Sequence, residues 1–477
     1  MKKSASEPGS VLPCEPGGND RDVASPTPPH KRAVWSWFGE ELEELAVLAA
    51  QLRKSFPQSV AFLRSWDRQC AALAASSPST TLWAEQALDD LATQLRKACL
   101  RVANLYAVRV YRSPPDHQMP RTSEEHLLDF GYERDIRPAE LEARIAASAI
   151  PAPGWDGAHL LFSSGQSALH AILIAARRAV GARAPCALRH LGSYFETQDL
   201  IGLLAEAGLF DITTGGDDDP NLVIYEPVHC TPEGQGTATT DRATFERLCR
   251  QGVLRVIICD TTLCRQRFDY ARLLALAAGI EPSPLVIMFR SGLKLDQGGL
   301  ELANVGIVSI FGRPERSVTG LSRFFTELRR IRTLTDSGLR FEDINALGVP
   351  WFLGEASHQY ADRIFANNAE LARSYQGADG KGLCHPALQE GDSVAPFCLL
   401  LGQRADPASY GRLEEEIEGE AKRRGILLQR GGSFGFRGHR YQAIIPKAGQ
   451  PFIRLALGAR RDHSSIAIRE MLEEMRW

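Results

Sequence analysis

From about residue 150 onward, short apolar runs alternate with amphipathic stretches, and this alternation admits few architectures. His159–Phe162, Cys186–Arg189, Leu222–Tyr225, Val256–Cys259, Leu285–Phe289 and Gly306–Ile310 are apolar and of strand length. Between them, Ser167–Ala179, Thr197–Ala207, Asp241–Gln251 and Tyr270–Ala278 carry helical periodicity. The alternation predicts an α/β domain with a largely parallel sheet, ending near residue 330. Residues 331–380 read as helical and connecting. From about 384, apolar runs return at Ala395–Leu401, Ile426–Gln429 and Phe452–Leu457, followed by a helix over Ser464–Glu474. They predict a smaller α+β C-terminal domain.

The N-terminal part differs in character. Residues 1–33 are rich in Pro, Gly, Ser and charge, and end in the Pro26–Pro29 stretch. Such a segment has too little apolar surface to offset the entropy of ordering, so it is expected to be disordered. Leu42, Leu45, Leu48, Leu52 and Phe56 then recur near helical spacing, as do Leu82, Ala87, Leu88, Leu91, Leu95, Cys99 and Leu100. The expected division is a tail over 1–33, a helical extension over 34–127, a large α/β domain over 128–330, and connecting helices with a small domain over 331–477. The extension reads as packing against the main body or a sister subunit. A partner-docking module is the alternative.

Composition narrows the class further. The 477 residues carry 55 Lys+Arg against 58 Asp+Glu, a net charge of −3, which argues against a general nucleic-acid surface. At 44% apolar and 24% charged, the chain has material for a large core without disulfides or a structural metal. None of the cysteines forms a C-x-x-C pair, and their scatter through apolar stretches is that of reduced thiols in the cytoplasm. No apolar run reaches the roughly 18 residues of a membrane span, and Lys2-Lys3 leads into Ser, Glu, Pro and Gly instead of a secretory apolar core. No His/Cys/Asp cluster has zinc spacing.

In open α/β sheets ligands gather at the carboxyl ends of the strands. After the first run comes Ser163-Ser164-Gly165-Gln166-Ser167 and then a helix, where small residues let backbone N–H groups reach a phosphate. The same residues also serve as an ordinary helix cap. After Val256–Cys259 comes Asp260-Thr261-Thr262, and after Leu285–Phe289 comes Arg290-Ser291-Gly292-Leu293-Lys294. A strand-end lysine that loses water becomes a better free amine, able to form a Schiff base. Taken singly, Asp260 is equally a turn residue and Lys294 a surface lysine. Together they form the set that pyridoxal 5′-phosphate requires: a phosphate loop, a carboxylate for the pyridine nitrogen, and a lysine for the aldehyde.

With these residues in place the chain resembles the fold-type I pyridoxal-phosphate enzymes, and within them the cystathionine γ-synthase/γ-lyase family of Cys/Met metabolism, as a divergent member. The family's Tyr-x-Arg, followed by Pro, resembles Tyr132-Glu133-Arg134 with Pro138. Its Ser-Ser-Gly-Met-Ala loop resembles Ser163–Ser167, with Ser164, Gly165 and Gln166 at the phosphate. Its Tyr-Gly-Gly-Thr resembles Tyr194-Phe195-Glu196-Thr197, and its strand-end Asp is matched by Asp260 with Thr262 alongside. Its Ser-x-Thr-Lys resembles Ser291-Gly292-Leu293-Lys294, and its Arg-Leu-Ser-Val-Gly resembles Arg454–Gly458. The likeness covers roughly 128–477, in family order. Departures are clear. Ile136-Arg137-Pro138 replaces Asn-Pro-Thr, Gln166 replaces Met and Thr261 replaces Asn. Glu226–Pro232 matches Glu-x-Pro-x-Asn-Pro only loosely, with His229, Cys230 or Thr231 in place of the Asn. Leu-Asp-Gln-Gly-Gly follows Lys294 where the family has Gly-His.

The resemblance implies a fold-type I α/β architecture with pyridoxal 5′-phosphate as cofactor. It implies β- or γ-elimination, or replacement, on an amino acid whose leaving group departs from Cβ or Cγ. Lys294 and Tyr194 are the implied catalytic residues. Tyr132, Arg134, Ser164, Gly165, Gln166, Tyr194, Asp260, Thr262, Ser291 and Lys294 are implied to hold the cofactor, and Arg454 the substrate carboxylate. Tyr132 and Arg134 are implied to act across a subunit boundary, in a homodimer or homotetramer. The departures leave two alternatives: an aminotransferase or other fold-type I reaction, and a non-catalytic scaffold.

Overall fold

The computed structural model describes residues 35–122, 126–149, 151–181, 186–214, 219–232, 234–314, 320–376, 382–388, 394–401, 406–446, 450–460 and 463–475. The expected 1–33 tail lies outside the described residues.

The chain opens with α1 (Ser36–Ser55), α2 (Ser59–Ala75) and α3 (Thr81–Ala107). Pro57 ends α1, because the residue before a proline is kept out of the helical region; Phe56 sits there at φ −134°. Thr80 caps α3, its hydroxyl accepting from Trp83 N at 3.1 Å. The apolar stripe of α1 (Leu42, Leu45, Leu48, Leu52) and that of α3 (Leu88, Leu91, Leu95, Cys99) are both buried. They share one core with Leu300, Leu302, Val305 and Ile307 of the main body.

A short helix, α4 (Ala139–Ser148), leads into the sheet domain. There follow β1 (Asp156–Phe162), α5 (Gly165–Val180), β2 (Ala187–Leu191), α6 (Phe195–Glu206), β3 (Asp211–Ile212), β4 (Leu222–Tyr225), α7 (Gly234–Gln251), β5 (Val256–Asp260), α8 (Tyr270–Ala278), β6 (Leu285–Ser291) and β7 (Gly306–Gly312). The seven strands lie in the order β1-β7-β6-β5-β4-β2-β3. All neighbours are parallel except at β7, which runs antiparallel to both β1 and β6. Central strands such as Val-Ile-Ile-Cys in β5 are apolar throughout because both faces are covered. Val256 and Ile258 point into the layer with α5, while Ile257 and Cys259 point into the layer with α7 and α8.

After α9 (Leu321–Leu334), α10 (Phe341–Leu347) and α11 (Glu355–Ser374) comes the second unit. It comprises β8 (Gly382–Cys384), β9 (Cys398–Leu401), α12 (Pro407–Arg424), β10 (Leu428–Arg430), β11 (His439–Ile444), β12 (Phe452–Ala456) and α13 (His463–Glu474). Its five strands lie in the order β10-β11-β12-β9-β8. Among the described residues no helix is long and apolar enough to cross a membrane, and no group of His, Cys, Asp and Glu is placed to hold a metal ion. The described cysteines are free thiols.

Several boundaries differ from the expectation. α5 starts at Gly165, before Ser167, because Ser164 is its true cap. β1 starts at Asp156, and α7 at Gly234 rather than Asp241. β3, β8, β11 and α12 do not follow from the sequence reading: β3 and β8 are only two and three residues long, and polar residues interrupt the apolar pattern of β11 and α12.

Candidate active site

β1 lies at one edge of the sheet. The chain then crosses to β2 and β3 at the far side and returns through β4, β5 and β6. The carboxyl ends of β1, β4, β5 and β6 therefore open on one crevice. After β1, Ser164 Oγ accepts from Ser167 N at 3.0 Å, and Ser167 Oγ accepts from Ser164 N at 2.9 Å. This reciprocal box consumes the Ser164 and Ser167 N–H groups, while those of Gly165 and Gln166 lie in the first turn, where no intrahelical acceptor exists. The turn is seated tightly. A Cβ on Gly165 would lie 3.2 Å from Ser291 Cβ, and one on Gly306 would lie 2.1 Å from Ser164 O. Ser291 N donates to Thr262 Oγ1 at 3.0 Å, and Thr262 N donates to Asp260 Oδ1 at 2.8 Å. Ser164, Gly165, Ser291, Thr262 and Asp260 thus form one contiguous strip across three strand ends.

Glu226 follows β4 and is buried. Its Oε1 lies 2.9 Å from His190 Nε2, and its Oε2 accepts from Ser193 N at 2.7 Å and from Tyr194 N at 2.9 Å. Gly192 makes room for it, since a Cβ there would fall 2.4 Å from Glu226 Cδ. Burial pushes the Glu226 carboxyl up, but His190 and the two backbone N–H groups together hold it below its usual value. Asp260 beside it is pushed up to about 7, by burial first and the Glu226 charge second. Tyr194 caps α6. Burial, with help from the Glu196 carboxylate, raises its phenol well above the ordinary range, so it stays protonated. Cys230 is bound to Ser193, its N donating to Ser193 Oγ at 2.8 Å, and burial pushes its thiol up to about 11. That thiol is inert packing.

Lys294 sits on the turn after β6, with Nζ 5.8 Å from the centre of the Phe434 ring. Burial lowers its pKa; the Glu301 charge opposes this, and the Arg454 and Arg440 guanidiniums reinforce it. The turn beyond it is locked from below. Arg265 Nη2 reaches Asp296 Oδ1 at 2.6 Å and Arg290 Nη2 reaches the same oxygen at 3.1 Å. Burial opposes ionisation of Asp296, but these guanidiniums hold its carboxyl down to about 2. The Gln297 amide donates to Gly292 O and Ala303 O at 2.8 and 2.7 Å and accepts from Leu302 N and Ala303 N at 2.6 and 3.1 Å, which saturates it.

Arg454 of β12 pairs across the sheet with Gln442 of β11, its Nη2 3.0 Å from Gln442 Oε1. Its guanidinium lies 5.8 Å from the Phe397 ring, and Phe397 packs at a tilt, 5.6 Å between ring centres, against Phe434, the ring beneath Lys294 Nζ. The Arg454 Nε is buried with no hydrogen-bond partner among the described residues. A buried charged donor left open in this way is suited to an incoming anion.

The structure thus sets Ser164, Gly165, Thr262, Asp260 and Ser291 in one strip, with Gln166 next in the α5 turn, Tyr194 held beside it by Glu226, and Lys294, three residues after Ser291, joined to Arg454 through Phe434 and Phe397. It does not bring Tyr132 and Arg134 to them within one chain. Both are exposed before α4, with the Arg134 guanidinium 4.8 Å from the Tyr132 ring. His229 is buried farther out, its Nε2 3.5 Å from Asp241 Oδ2. Sequence reasoning missed His190, Phe397, Phe434 and Gln442 as neighbours of the site. The position of His190 at the end of β2 was the available signal for one of them.

No known family matches the chain by sequence profile, and no curated protein matches it by sequence. Among solved structures it is similar to cystathionine gamma synthase from Xanthomonas oryzae pv. oryzae in complex with cystathionine, with TM-score 0.52 and 15% identity over 78% of this chain and 97% of that one. It is also similar to cystathionine gamma-lyase from Lactobacillus plantarum complexed with L-serine, with TM-score 0.50 and 15% identity over 76% of this chain and 91% of that one. At that identity the likeness is one of fold. The chain has the fold-type I architecture of these enzymes, carried by a sequence far from theirs.

Proposed function

We propose that this chain is a pyridoxal 5′-phosphate-dependent enzyme that performs β- or γ-elimination, or replacement, on an amino acid. One observation carries the reading: the Ser164–Gly165 turn, Asp260 and Lys294 occupy adjoining strand ends of one crevice, linked through Ser291 and Thr262. The residues fit the cofactor. The Gly165 and Gln166 N–H groups face the charge of a phosphate with a helix N-terminus behind them. Asp260 offers a carboxylate for a ring nitrogen, and Lys294 an amine shifted towards its neutral form. The open Nε of Arg454 offers a place for a substrate carboxylate.

Bound there, the cofactor supplies an electron sink beside the substrate α-carbon. Arg454 orients the substrate through its carboxylate, a planar fork that lysine does not provide. Lys294 takes the α-proton as general base, favoured by its lowered pKa. Tyr194, at the N-terminus of α6, would keep a proton on its phenol for the departing group. The exposed Tyr132 and Arg134 fit a role towards the phosphate of a second subunit, so the working form is read as a homodimer or larger.

The test is the visible spectrum of the purified protein with pyridoxal phosphate, followed by borohydride reduction and peptide mapping. The expected result is a yellow protein whose reduced adduct maps to Lys294, and a Lys294→Ala variant that forms none. Ketone or alkene products should then appear with amino acids bearing Cβ or Cγ leaving groups. A protein that takes up no pyridoxal phosphate, or fixes it on another lysine, overturns the reading.

A further inference from the structure

Two of the three N-terminal helices, α1 and α3, are tied to one place in the body by charge. Glu44 of α1 spans two arginines: its Oε2 lies 2.6 Å from Arg363 Nη2 and its Oε1 3.0 Å from Arg437 Nη2. Glu41, one turn earlier, takes Arg460 Nε at 2.7 Å and Arg437 Nη1 at 3.5 Å. Asp89 of α3 takes Arg460 Nη2 at 2.5 Å. Arg437, Arg460 and Glu41 are all buried. These helices also share an apolar core with the body, so the location of a buried charge network beside it asks for a reason.

That location is the wall of the crevice. Arg437 belongs to the 431–438 segment, whose Gly435 lies so close to Lys294 that a Cβ there would be 3.0 Å from Lys294 Cβ. One residue of the segment is held away from its preferred conformation: Ser433 has φ +75°, while Gly435 takes +80° as a glycine can without cost. Arg437 and Arg363 both lie over the Tyr360 ring, at 5.4 and 5.9 Å. Tyr360 in turn donates its hydroxyl to Gly435 O at 3.0 Å. The same hydroxyl packs against Gly299 on the Lys294 turn, where a Cβ would lie 2.1 Å from it. The path from Glu41 and Glu44 through Arg437 and Tyr360 to both sides of Lys294 is a chain of direct contacts.

We infer that the N-terminal helices are a working part of the active site, with Glu41 and Glu44 as positioning residues that press the 431–438 segment against Lys294. The inference takes its meaning from the function proposed above, but its first readout needs no cofactor.

In the full-length, cofactor-free protein, acylation of Lys294 by acetic anhydride is followed against pH by peptide mapping, with the exposed Lys97 as reference. The groups facing Lys294 are Glu301, Glu196 of α6, Arg440 of β11 and Arg454 of β12, with Asp296, Arg265 and Arg290 beneath its turn. Arg437 lies in the segment itself, and neutralising Glu41 and Glu44 leaves its charge unbalanced, which alone would lower the Lys294 midpoint, so a raised midpoint reads a segment that no longer shields Lys294 closely. Glu41→Gln with Glu44→Gln is expected to raise the Lys294 midpoint, so that its acylation relative to Lys97 at fixed pH falls about tenfold. Glu44→Asp, which keeps the charge, is expected to restore it. An unmoved midpoint in the folded double variant, even with a lower melting temperature, overturns the inference and leaves a structural clamp. If the double variant does not fold, Glu44→Gln alone decides between the same outcomes. A shifted midpoint in a protein that takes up no pyridoxal phosphate would sink the proposed function and spare the coupling.

Discussion

Asp260 and Glu226 are carboxyl groups at neighbouring strand ends with opposite fates. Glu226 is saturated by His190 and two backbone N–H groups, and ionises readily. Asp260 accepts from Thr262 N but feels burial and the Glu226 charge, so it keeps its proton up to about 7, against an ordinary 3.8. Across that window the folded chain holds a proton that the unfolded chain releases, so this group lowers stability as pH rises. Asp260→Asn keeps the acceptor for Thr262 and removes the charge. In the cofactor-free protein it is expected to melt higher than the wild type at pH 8, on the order of 2 kcal/mol, with the difference vanishing below pH 4. Thermal melts of both at the two pH values decide this, and an equal or lower melting point at pH 8 would refute it. Asp260 and Lys294 could be placed beyond strand ends because each follows an apolar run, at once or within five residues, while Arg454 was picked out only by the resemblance of Arg454–Gly458 to a family motif. His190 and Gln442 were not. Their importance comes from partners across a strand pair, Glu226 and Arg454, and spacing along the chain carries no register.

Among the elements, β7 does the most to shape the crevice. It runs against both neighbours, and its first residue, Gly306, pairs with Phe162 at the end of β1 and Ser291 at the end of β6. A glycine there admits the Ser164 carbonyl, and with it the α5 cap, into the angle between the two strands. Gly306→Ala forces the carbonyl outward. The expected cost is about 2 kcal/mol of overpacking, read by denaturant melts. Loss of the seat for the Gly165 and Gln166 N–H groups is expected to weaken pyridoxal-phosphate binding about tenfold in the same variant. Unchanged binding and stability together would show that the turn is not seated through Gly306. The sequence announced the buried strands well, because continuous Val, Ile and Leu runs permit little else. It hid β11, where Arg440 and Gln442 alternate with buried His439 and Tyr441. It also concealed how far α7 reaches back, because Gly and Thr lead that helix.

Across the whole molecule, the apolar stripes in 36–107 were plain from the sequence, but what they pack against was not. Their burial partners, such as Leu302, Ile307 and Phe352, stand more than a hundred residues away in the chain. Because α1 and α3 share a core with the main body, removal of residues 1–113 is expected to yield aggregated protein, not a folded α/β unit. Gel filtration of the truncated chain checks this, and a monodisperse, folded product would contradict it. The same partnership has a temporal side. Glu41 and its partner Arg460 are separated by 419 positions. At about 5–20 residues per second, the ribosome delivers the arginine some tens of seconds after the glutamate. Over that interval α1 and α3 have an apolar face and an acidic edge whose partners have not yet been synthesised, so these helices, made before the body they dock on, are among the last elements to find their place.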